Sequence, residues 1–346
     1  IKNGNIKGTK DTVDTTEYHH GIKACASENV IIENMSIEGV SGDGIGVDQY
    51  PTGDNYLGKP FKNVTIRSCT IHNYSRNGIS VYNGNGCLID DCLIYDADGH
   101  SSLNSGIDIE PNRNDQSIDN LIITNCRFYN CTKGCIMFNL GHHPLLLNTK
   151  ISNCAFDGNL RHIYIGGTGE EGTVTVDNCV SNNGKLPLEI SRTNNNDKFK
   201  VCVNNVVIRN PNPKGSTDKF DGTGLAVSCD NWTGDENNIK FDNITFADKT
   251  MSTSFYIKNA NVTYRGNMPK YTNILNPAKK MALDVINDGN VASTTLAAGS
   301  VSIPNSNGFL YPVYVKSASA TSNTTVTFAY EMPIGMKIKL VNNSPT

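Results

Sequence analysis

Residues 105–112, SGIDIEPN, place an alternating apolar pattern and two carboxylates in one short segment. Successive side chains of a β-strand point to opposite faces, so Ile107 and Ile109 lie on one face and Asp108 and Glu110 on the other. Two strand residues separate the acidic Cα atoms by about 6.6 to 7 Å. The segment therefore predicts a strand with one face in a core and a second face that carries two neighbouring carboxylates.

The same kind of strand recurs along most of the chain. An apolar–x–apolar pattern that follows a glycine or a turn residue is found at residues 21–22, 44–47, 78–81, 106–109, 135–138, 163–165, 188–190 and 225–227. A second strand type alternates with it, at residues 30–32, 64–66, 88–89, 121–123, 149–151, 174–176, 201–203 and 239–241. Each second strand leads through a short turn into a third strand. Repetition of one structural unit indicates stacked coils.

The turn after each second strand carries a polar residue, usually asparagine, which tolerates left-handed backbone angles and forms local hydrogen bonds. We expect a ladder at Asn34, Ser68, Asp91, Asn125, Asn153, Asn178, Asn205 and Asn243. The next residue points inward and forms the column Met35, Cys69, Cys92, Cys126, Cys154, Cys179, Val206 and Ile244. The third strands add Ile37, Ile71, Ile94, Phe128, Phe156, Ile208 and Phe246.

Three short strands per repeat of about 23 to 38 residues, without helical periodicity, predict an all-β, single-stranded parallel β-helix with an Asn ladder and a cysteine stack. The pattern resembles the right-handed, pectin-lyase-like β-helix superfamily over about residues 1–265. That superfamily includes polysaccharide lyases, glycoside hydrolases, uronate epimerases and bacteriophage tailspike or appendage proteins. The resemblance implies the fold and leaves the reaction open.

After residue 265 the columns stop. Residues 266–280, with Pro269 and Pro277, are predicted to form a linker or cap. Residues 281–346 are predicted to form a small β-rich domain with strands at 300–303, 310–316, 324–330 and 337–341. This domain is suited to oligomerisation, to capping the open end of the helix or to carbohydrate binding.

Composition limits the partners. The chain has 346 residues, 38% hydrophobic residues and a formal net charge of −3, which gives no electrostatic reason to expect nucleic acid. It contains no run of about 18 apolar residues, so we expect no membrane insertion. The eleven cysteines show no zinc spacing. A column of small buried hydrophobes explains five of them as free thiols, which favours folding in a reducing compartment.

The outward face of the first strand type carries the candidate site. Its column at Asp108 contains Lys23, Gly46, Ser80, Tyr164, Glu189 and Ala226, and its column at Glu110 contains Cys25, Asp48, Tyr82, Gly166, Ser191 and Ser228. The register of residues 135–138 is ambiguous. Asp48 and Glu110 are two rungs apart, with Tyr82 between them. We predict Asp108, Glu110 and Asp48 as the catalytic carboxylates.

Long loops follow this strand type and are expected to wall a binding face. Together with the columns they supply aromatic and polar groups suited to sugar rings. The predicted substrate-binding residues are Tyr82, Tyr50, Arg113, His142, His143, Tyr164, Glu189, Arg192 and Trp232.

Other interpretations of these residues stay open. An outward carboxylate on a β-helix is by default solvated, and Asp108 and Glu110 with Asn112 or Asp115 also suit a Ca²⁺ site. We expect no required cofactor and no dedicated metal site. Arg76, Arg161 and Arg192 are either solvated or anchors for anionic sugars or phosphates.

Three functions compete. The first is a tailspike-like hydrolase of a bacterial surface polysaccharide or teichoic acid that uses a carboxylate pair. The second is a polysaccharide lyase or uronate epimerase, which ranks lower because the two acidic columns place no basic residue close to Asp108. The third is a non-catalytic glycan-binding adhesin. By resemblance we expect a homotrimer located on the virion surface or outside the cell.

Overall fold

The computed structural model describes residues 1–9, 19–48, 59–97, 104–111, 113, 115–141, 145–167, 171–192, 198–212, 226–230 and 238–247. Beyond these it describes the strands at 255–258, 262–265, 271–275, 283–285, 292–296, 301–303, 313–317, 324–328 and 338–342. No helix in these parts is long and apolar enough to cross a membrane.

The described residues form β-strands joined by bends and short turns. The first 26 strands are β1 (Lys2–Lys7), β2 (Ile22–Cys25), β3 (Glu28–Glu38), β4 (Ile45–Asp48), β5 (Phe61–Arg67), β6 (Thr70–His72), β7 (Asn77–Val81), β8 (Gly84–Asp90), β9 (Leu93–Ala97), β10 (Ser105–Ile109), β11 (Ser117–Thr124), β12 (Arg127–Cys131), β13 (Gly134–Leu140), β14 (Leu145–Ser152), β15 (Ala155–Gly167), β16 (Glu171–Asp177), β17 (Val180–Arg192), β18 (Phe199–Asn204), β19 (Val207–Arg209), β20 (Val227–Asp230), β21 (Ile239–Asp242), β22 (Thr245–Phe246), β23 (Phe255–Lys258), β24 (Val262–Arg265), β25 (Tyr271–Leu275) and β26 (Leu283–Val285). Five more follow: β27 (Ala292–Leu296), β28 (Val301–Ile303), β29 (Val313–Ser317), β30 (Thr324–Phe328) and β31 (Ile338–Asn342).

These strands stack in parallel into three sheets. The first sheet follows the order β2, β4, β7, β10, β13, β15, β17, β20, β23, β25. The second follows β3, β5, β8, β11, β14, β16, β18, β21, β24, β26. The third follows β3, β6, β9, β12, β15, β17, β19, β22, so β3, β15 and β17 each belong to two sheets. The predicted parallel β-helix is confirmed.

The predicted ladder of polar turn residues is present. Its members have φ between 51° and 55°, the left-handed region, at Asn34, Ser68, Asp91, Asn125, Asn153, Asn178, Asn205 and Asn243. Side chains on successive rungs bond to each other. Asn178 Nδ2 donates to Asn153 Oδ1 at 2.7 Å, and Asn243 Nδ2 donates to Asn205 Oδ1 at 2.8 Å. The ladder satisfies polar groups at a bend where the backbone leaves the sheet.

The interior follows the predicted columns. Met35, Val206, Ile244 and the five cysteines between them are buried. The column of the third strands is also buried, except that Phe246 at the end of β22 is only partly covered. Each fully buried large aliphatic or aromatic side chain contributes about 1.5 to 3 kcal/mol by leaving water. Uniform stacking of similar side chains therefore stabilises every rung in the same way.

All eleven cysteines are free thiols, and nine of them are buried, the exceptions being Cys25 and Cys202. Within the stack the Sγ of Cys126 lies 3.1 Å from the carbonyl oxygen of Thr124, to which it donates. Cys69, Cys92, Cys154 and Cys179 make the same kind of contact, so the column thiols behave as small apolar residues whose weak donors are satisfied locally. This agrees with the interpretation of the cysteine column as structural.

Parallel stacking continues beyond Arg265. β25 pairs with β23, and β26 pairs with β24, so strands occur within and after the segment predicted as a linker or cap. β30 and β31 then pair antiparallel with β25 and β26. The last strands of the chain therefore cover the edge of the final rung, in line with a capping role. The domain boundaries at 265 and 280 stay predictions.

Candidate active site

β10 places Asp108 on the outer side of the first sheet. In the observed register Asp108 lies between Ser80 on β7 and Met137 on β13. Every residue of β10 is buried, and Asp108 has no exposed surface. Asp108 is therefore not a solvated surface carboxylate, because neighbouring polar side chains enclose it.

Two asparagine amides hold the Asp108 carboxyl group. Asn139 Nδ2 donates to Oδ1 at 2.7 Å, and Asn77 Nδ2 donates to Oδ2 at 3.3 Å. Asn77 is fixed in turn because its Oδ1 accepts from the backbone N–H of Ser105 at 3.0 Å. Asn139 is half-buried, whereas Asn77 is fully buried. The carboxyl group is thus oriented from the rung on either side.

The surroundings favour the protonated form of Asp108. Burial raises the pKa of its carboxyl group from an ordinary value of 3.8 to about 8, and the negative charge of Glu110 adds to this rise. The hydrogen bond from Asn139 acts in the opposite direction, since it favours the ionised carboxylate. Asp43 also raises the pKa, and Arg76 lowers it. A carboxyl group with such a pKa still carries its proton at neutral pH.

A buried arginine links the other charged groups. Arg76 Nη1 lies 3.3 Å from Asp43 Oδ2 and donates to the Tyr82 hydroxyl at 3.0 Å. Its Nη2 lies 3.9 Å from Glu110 Oε2. Asp43 is fully buried and Arg76 nearly so. The interpretation of Arg76 as a solvated arginine is therefore wrong, and its charge is matched by the buried Asp43 carboxylate and the partly exposed Glu110 carboxylate.

His20 completes the surroundings of Asp43. The backbone N–H of Asp43 donates to His20 Nδ1 at 3.1 Å, and the same nitrogen lies 3.3 Å from Asp43 Oδ2. Asp43 Oδ1 accepts from the backbone N–H of Asn77 at 3.2 Å. The Arg76 guanidinium offsets the Asp43 charge from 3.3 Å.

Tyr82 and Asp48 lie in the column of Glu110. Tyr82 directly follows a valine of β7, Asp48 directly follows a valine of β4, and these two valines pair in register. Burial raises the pKa of the Tyr82 hydroxyl, so it stays protonated and does not serve as a base. Asp48 is partly exposed and lies 3.9 Å from Lys23 Nζ. Of the three predicted catalytic carboxylates, Asp108 and Glu110 therefore share the Arg76 network, while Asp48 lies beside a lysine.

A second polar cluster lies on the same sheet. In register, Asp108 is followed by Met137, Tyr164 and Glu189. Arg161 contacts the Glu189 carboxylate, and its guanidinium carbon lies 5.5 Å from the centre of the Tyr164 ring. Tyr164 and Glu189 thus lie two and three rungs from Asp108, as predicted, and Arg161 joins them.

The register corrects two predicted column members. Leu188 pairs with Val227, which puts Ser228 rather than Ala226 in the Asp108 column and Asp230 rather than Ser228 in the Glu110 column. The register of residues 135–138, which the sequence left ambiguous, is also settled. Ile107 pairs with Ile136, and Asn139 follows in the column of Glu110. Asn139 is therefore a partner of Asp108 that the sequence pattern did not reveal.

The remaining predicted residues are distributed as follows. Arg113 forms an ion pair with Asp115, with Nε 2.9 Å from Oδ1. Arg192 ends β17, and its side chain lies outside the described residues, as do Tyr50, His142, His143 and Trp232. In the described part of the chain no group of three or more His, Cys, Asp or Glu side chains is arranged to hold a metal ion.

Comparison with known proteins agrees with the three-sheet parallel stack. A family model described as a right-handed β-helix region matches residues 57–246, more than half of the chain. This chain belongs to the right-handed β-helix family. The matched region contains Asp108, Glu110 and Arg76, whereas Asp43 and His20 lie before it.

Two relatives of this β-helix protein come from Bacillus subtilis (strain 168). The SPbeta prophage-derived protein YorA is 33% identical over 132 residues, 35% of this chain and 22% of YorA. The protein YclG is 30% identical over 120 residues, 32% of this chain and 20% of YclG. The matches thus span about a fifth of the length of each relative. No solved structure matches the chain.

Proposed function

We propose that this β-helix protein hydrolyses a bacterial cell-surface polymer, a polysaccharide or a teichoic acid, with Asp108 and Glu110 as the acid–base pair. The observation that carries the proposal is the unequal environment of these two carboxyl groups. Asp108 is enclosed and has a pKa of about 8, whereas Glu110 lies beside the Arg76 guanidinium. Two neighbouring carboxyl groups in contrasting environments are what acid–base hydrolysis requires.

The roles follow from charge. Asp108 holds a proton at neutral pH and donates it to the leaving-group oxygen. Glu110, whose Oε2 lies 3.9 Å from Arg76 Nη2, takes the role of the charged partner that activates water or attacks directly. The Glu110 side chain is 21% exposed, so a polymer that lies along the first sheet meets it first. Asp108 is fully buried, so the proposal requires the Asn139 amide, which donates to its Oδ1, to give way to the leaving-group oxygen.

The surrounding residues extend the groove along the sheet. Tyr164 and the Arg161–Glu189 pair lie on the same outer face, where an aromatic ring and charged groups suit a sugar unit beyond the cleavage point. Tyr82 contributes a protonated hydroxyl beside Arg76. The residues predicted in the loops, Tyr50, Arg113, His142, His143, Arg192 and Trp232, would wall this groove.

The prophage-derived relative supports a phage association, and we place the protein on the virion surface or outside the cell. We also propose that it assembles as a homotrimer through residues 281–346, as tailspike-like β-helices do. Sedimentation of the intact chain as a trimer is the expected result. A stable monomer contradicts the assembly and leaves the catalytic proposal in place.

One observation favours the second candidate function. Arg76 is a cation of the kind that a lyase or epimerase uses to neutralise a uronate carboxylate. Its charge is already matched by Asp43 and Glu110, and Tyr82 is not a base. Hydrolysis therefore ranks first. A Ca²⁺ ion bound near Asp108 and Glu110 stays an alternative role for the pair.

The test is incubation of the protein with a panel of bacterial surface polymers, followed by mass spectrometry of the product ends. Addition of water identifies a hydrolase, a 4,5-unsaturated sugar identifies a lyase, and absence of cleavage across the panel supports an adhesin. Asp108→Asn and Glu110→Gln should each lower turnover at least about a hundredfold.

Glu171→Gln is the matched control, because Glu171 is an exposed carboxylate on the second sheet that pairs with Lys198. Its turnover should equal that of the unmodified protein. Full activity in both Asp108→Asn and Glu110→Gln contradicts the proposal and moves attention to Glu189, with Arg161 or Arg192.

A further inference from the structure

The third sheet carries an aromatic stack on its outer face. His72, Tyr95 and Tyr129 occupy the same position on three successive rungs. The rings of His72 and Tyr95 are 4.8 Å apart and inclined by 3°, and those of Tyr95 and Tyr129 are 4.5 Å apart and inclined by 18°. The stack is partly exposed to solvent. One face of the Tyr129 ring contacts Tyr95, and the opposite face is directed at the next rung.

At the stack position the next rung has no aromatic residue. Asp157 pairs with Tyr129 in register, and Asn182 follows it. The change from a large ring to short polar side chains leaves a surface depression of about 440 Å³. Its walls include Tyr129, Asp157 and Asn182, together with the exposed Arg127 and Asn130. Phe128, Ala155, Phe156 and Gly158 complete the lining, so the depression is a pocket of mixed polarity with an aromatic wall.

A missing side chain opens this pocket. The residue after the stack position belongs to a second ladder of left-handed turn residues, which contains Asn73, Asp96, Asn130, Asn183 and Asn210. Asn130 Nδ2 donates to Asp96 Oδ1 at 2.9 Å, and Asn210 Nδ2 donates to Asn183 Oδ1 at 2.7 Å. Between Asn130 and Asn183 the ladder residue is Gly158, with φ 50°. A Cβ atom there would meet nothing within 4 Å, so the space is open.

The chemistry of the walls defines the ligand. A flat aromatic face packs against the C–H face of a sugar ring, and the carboxylate and amide groups below it take sugar hydroxyls. Asp157 Oδ1 already accepts from Asn183 Nδ2 at 2.8 Å, which fixes its orientation, and a carboxylate has about four acceptor sites. The charges of Arg127 and Asp157 are opposite, so the pocket has no net charge and suits a neutral ring.

We propose that the pocket between Tyr129, Asp157 and Gly158 binds a neutral pyranose unit of a glycan. This site lies on the third sheet, whereas Asp108 lies on the first. It contains none of the groups assigned to cleavage, so the binding does not depend on the proposed hydrolysis. A second glycan site on the outside of the helix would hold a polymer by another of its units while the first sheet acts on it.

The experiment uses the intact protein and saturation-transfer difference NMR with the methyl glycosides of glucose, galactose, mannose, N-acetylglucosamine and N-acetylgalactosamine. At least one glycoside should bind, and its Kd is then measured by titration. Gly158→Asn restores the ladder residue, and asparagine accepts the left-handed conformation, so the variant should fold. Its side chain takes up part of the open space beside Asp157 and should weaken binding at least about tenfold, a change of about 1.4 kcal/mol.

Tyr129→Ala removes the aromatic wall and gives a second, independent test, with a loss of similar size. Tyr129→Phe keeps the ring and should bind within a few-fold of the unmodified protein. Glu171→Gln, on the second sheet and outside both sites, should bind the glycoside normally. The proposal is overturned if none of the five glycosides binds, or if binding survives in Gly158→Asn and Tyr129→Ala.

Discussion

The guanidinium of Arg76 and the carboxylate of Asp43 form a buried ion pair, with Nη1 3.3 Å from Oδ2, and this pair sets the charge balance beside the candidate acid Asp108. The same guanidinium extends to Glu110 at 3.9 Å. A charge inside a protein is tolerated only when it is paired and hydrogen-bonded. The position of Arg76, and with it the environment of Glu110, therefore depends on Asp43.

Asp43→Asn should destabilise the protein strongly. The substitution keeps the size of the side chain and leaves Arg76 with less opposing charge, and removal of one partner of a buried pair costs about 3 to 5 kcal/mol. The measurement is the midpoint of urea unfolding. Asp115→Asn is the control, because its pair with Arg113 is exposed and such pairs contribute at most about 1 kcal/mol. Equal small losses of stability in both variants would contradict the structural role of Asp43.

The pKa of Asp108 should move in opposite directions in two variants. Glu110→Gln removes a neighbouring negative charge and should lower this pKa from about 8. Asn139→Ala removes a hydrogen bond to the carboxylate and should raise it. Carbon-13 NMR of labelled aspartate carboxyl groups follows the titration without any need for substrate. If the pKa of Asp108 shifts in the same direction in both variants, the effects assigned here to Glu110 and Asn139 are contradicted.

The sequence predicted the fold well because a β-helix repeats the same position on every rung. A polar turn residue followed by a cysteine, as at Asn125 and Cys126, fixes both the ladder and the inward column. The alternation around Asp108 likewise fixed which residues face outward. These features depend on the local pattern alone, so the inward and outward positions of one strand predict those of the equivalent strand on the next rung.

The partners of Asp108 were less accessible to sequence reasoning. Asp43 and Arg76 lie in bends, where side chains do not alternate and no face can be assigned. Asn139 follows the apolar run Cys135–Phe138, which fits either register. The register at Ala226 failed for the same reason, since alternating small residues allow a shift along the strand.

The thiols of the inward column should be unreactive in the native protein. Cys69, Cys92, Cys126, Cys154 and Cys179 are buried, whereas Cys25 and Cys202 are partly exposed. Reaction requires a thiolate that the reagent can reach, and burial blocks this access throughout the column, even at Cys179, whose pKa is lowered by its hydrogen bond with Cys154. A thiol reagent at pH 8 should therefore label Cys25 and Cys202 first and the others only after unfolding, as peptide mass spectrometry can show. Rapid labelling of the five column cysteines in the native state contradicts the stacked core.

The burial of Asp108 should make stability depend on pH in a predictable direction. Below about pH 4 the carboxyl group is protonated in both the folded and the unfolded chain, so it contributes no pH dependence. Between the ordinary value of 3.8 and the folded value of about 8, the unfolded chain releases the proton while the folded chain retains it. Stability therefore falls as pH rises through this window and levels off above it.

Asp108→Asn should remove this loss of stability at higher pH, because an amide does not ionise. The free energy of unfolding of the variant, relative to the unmodified protein, should increase from pH 4.5 to pH 8.5 by a few kcal/mol, since one pKa unit corresponds to about 1.4 kcal/mol. Urea unfolding at a series of pH values gives this difference. Glu171→Gln, at an exposed carboxylate, should show a difference that stays nearly constant over the same range. If the Asp108→Asn difference is equally constant, Asp108 is ionised in the folded protein at pH 5 and is not a proton donor at neutral pH.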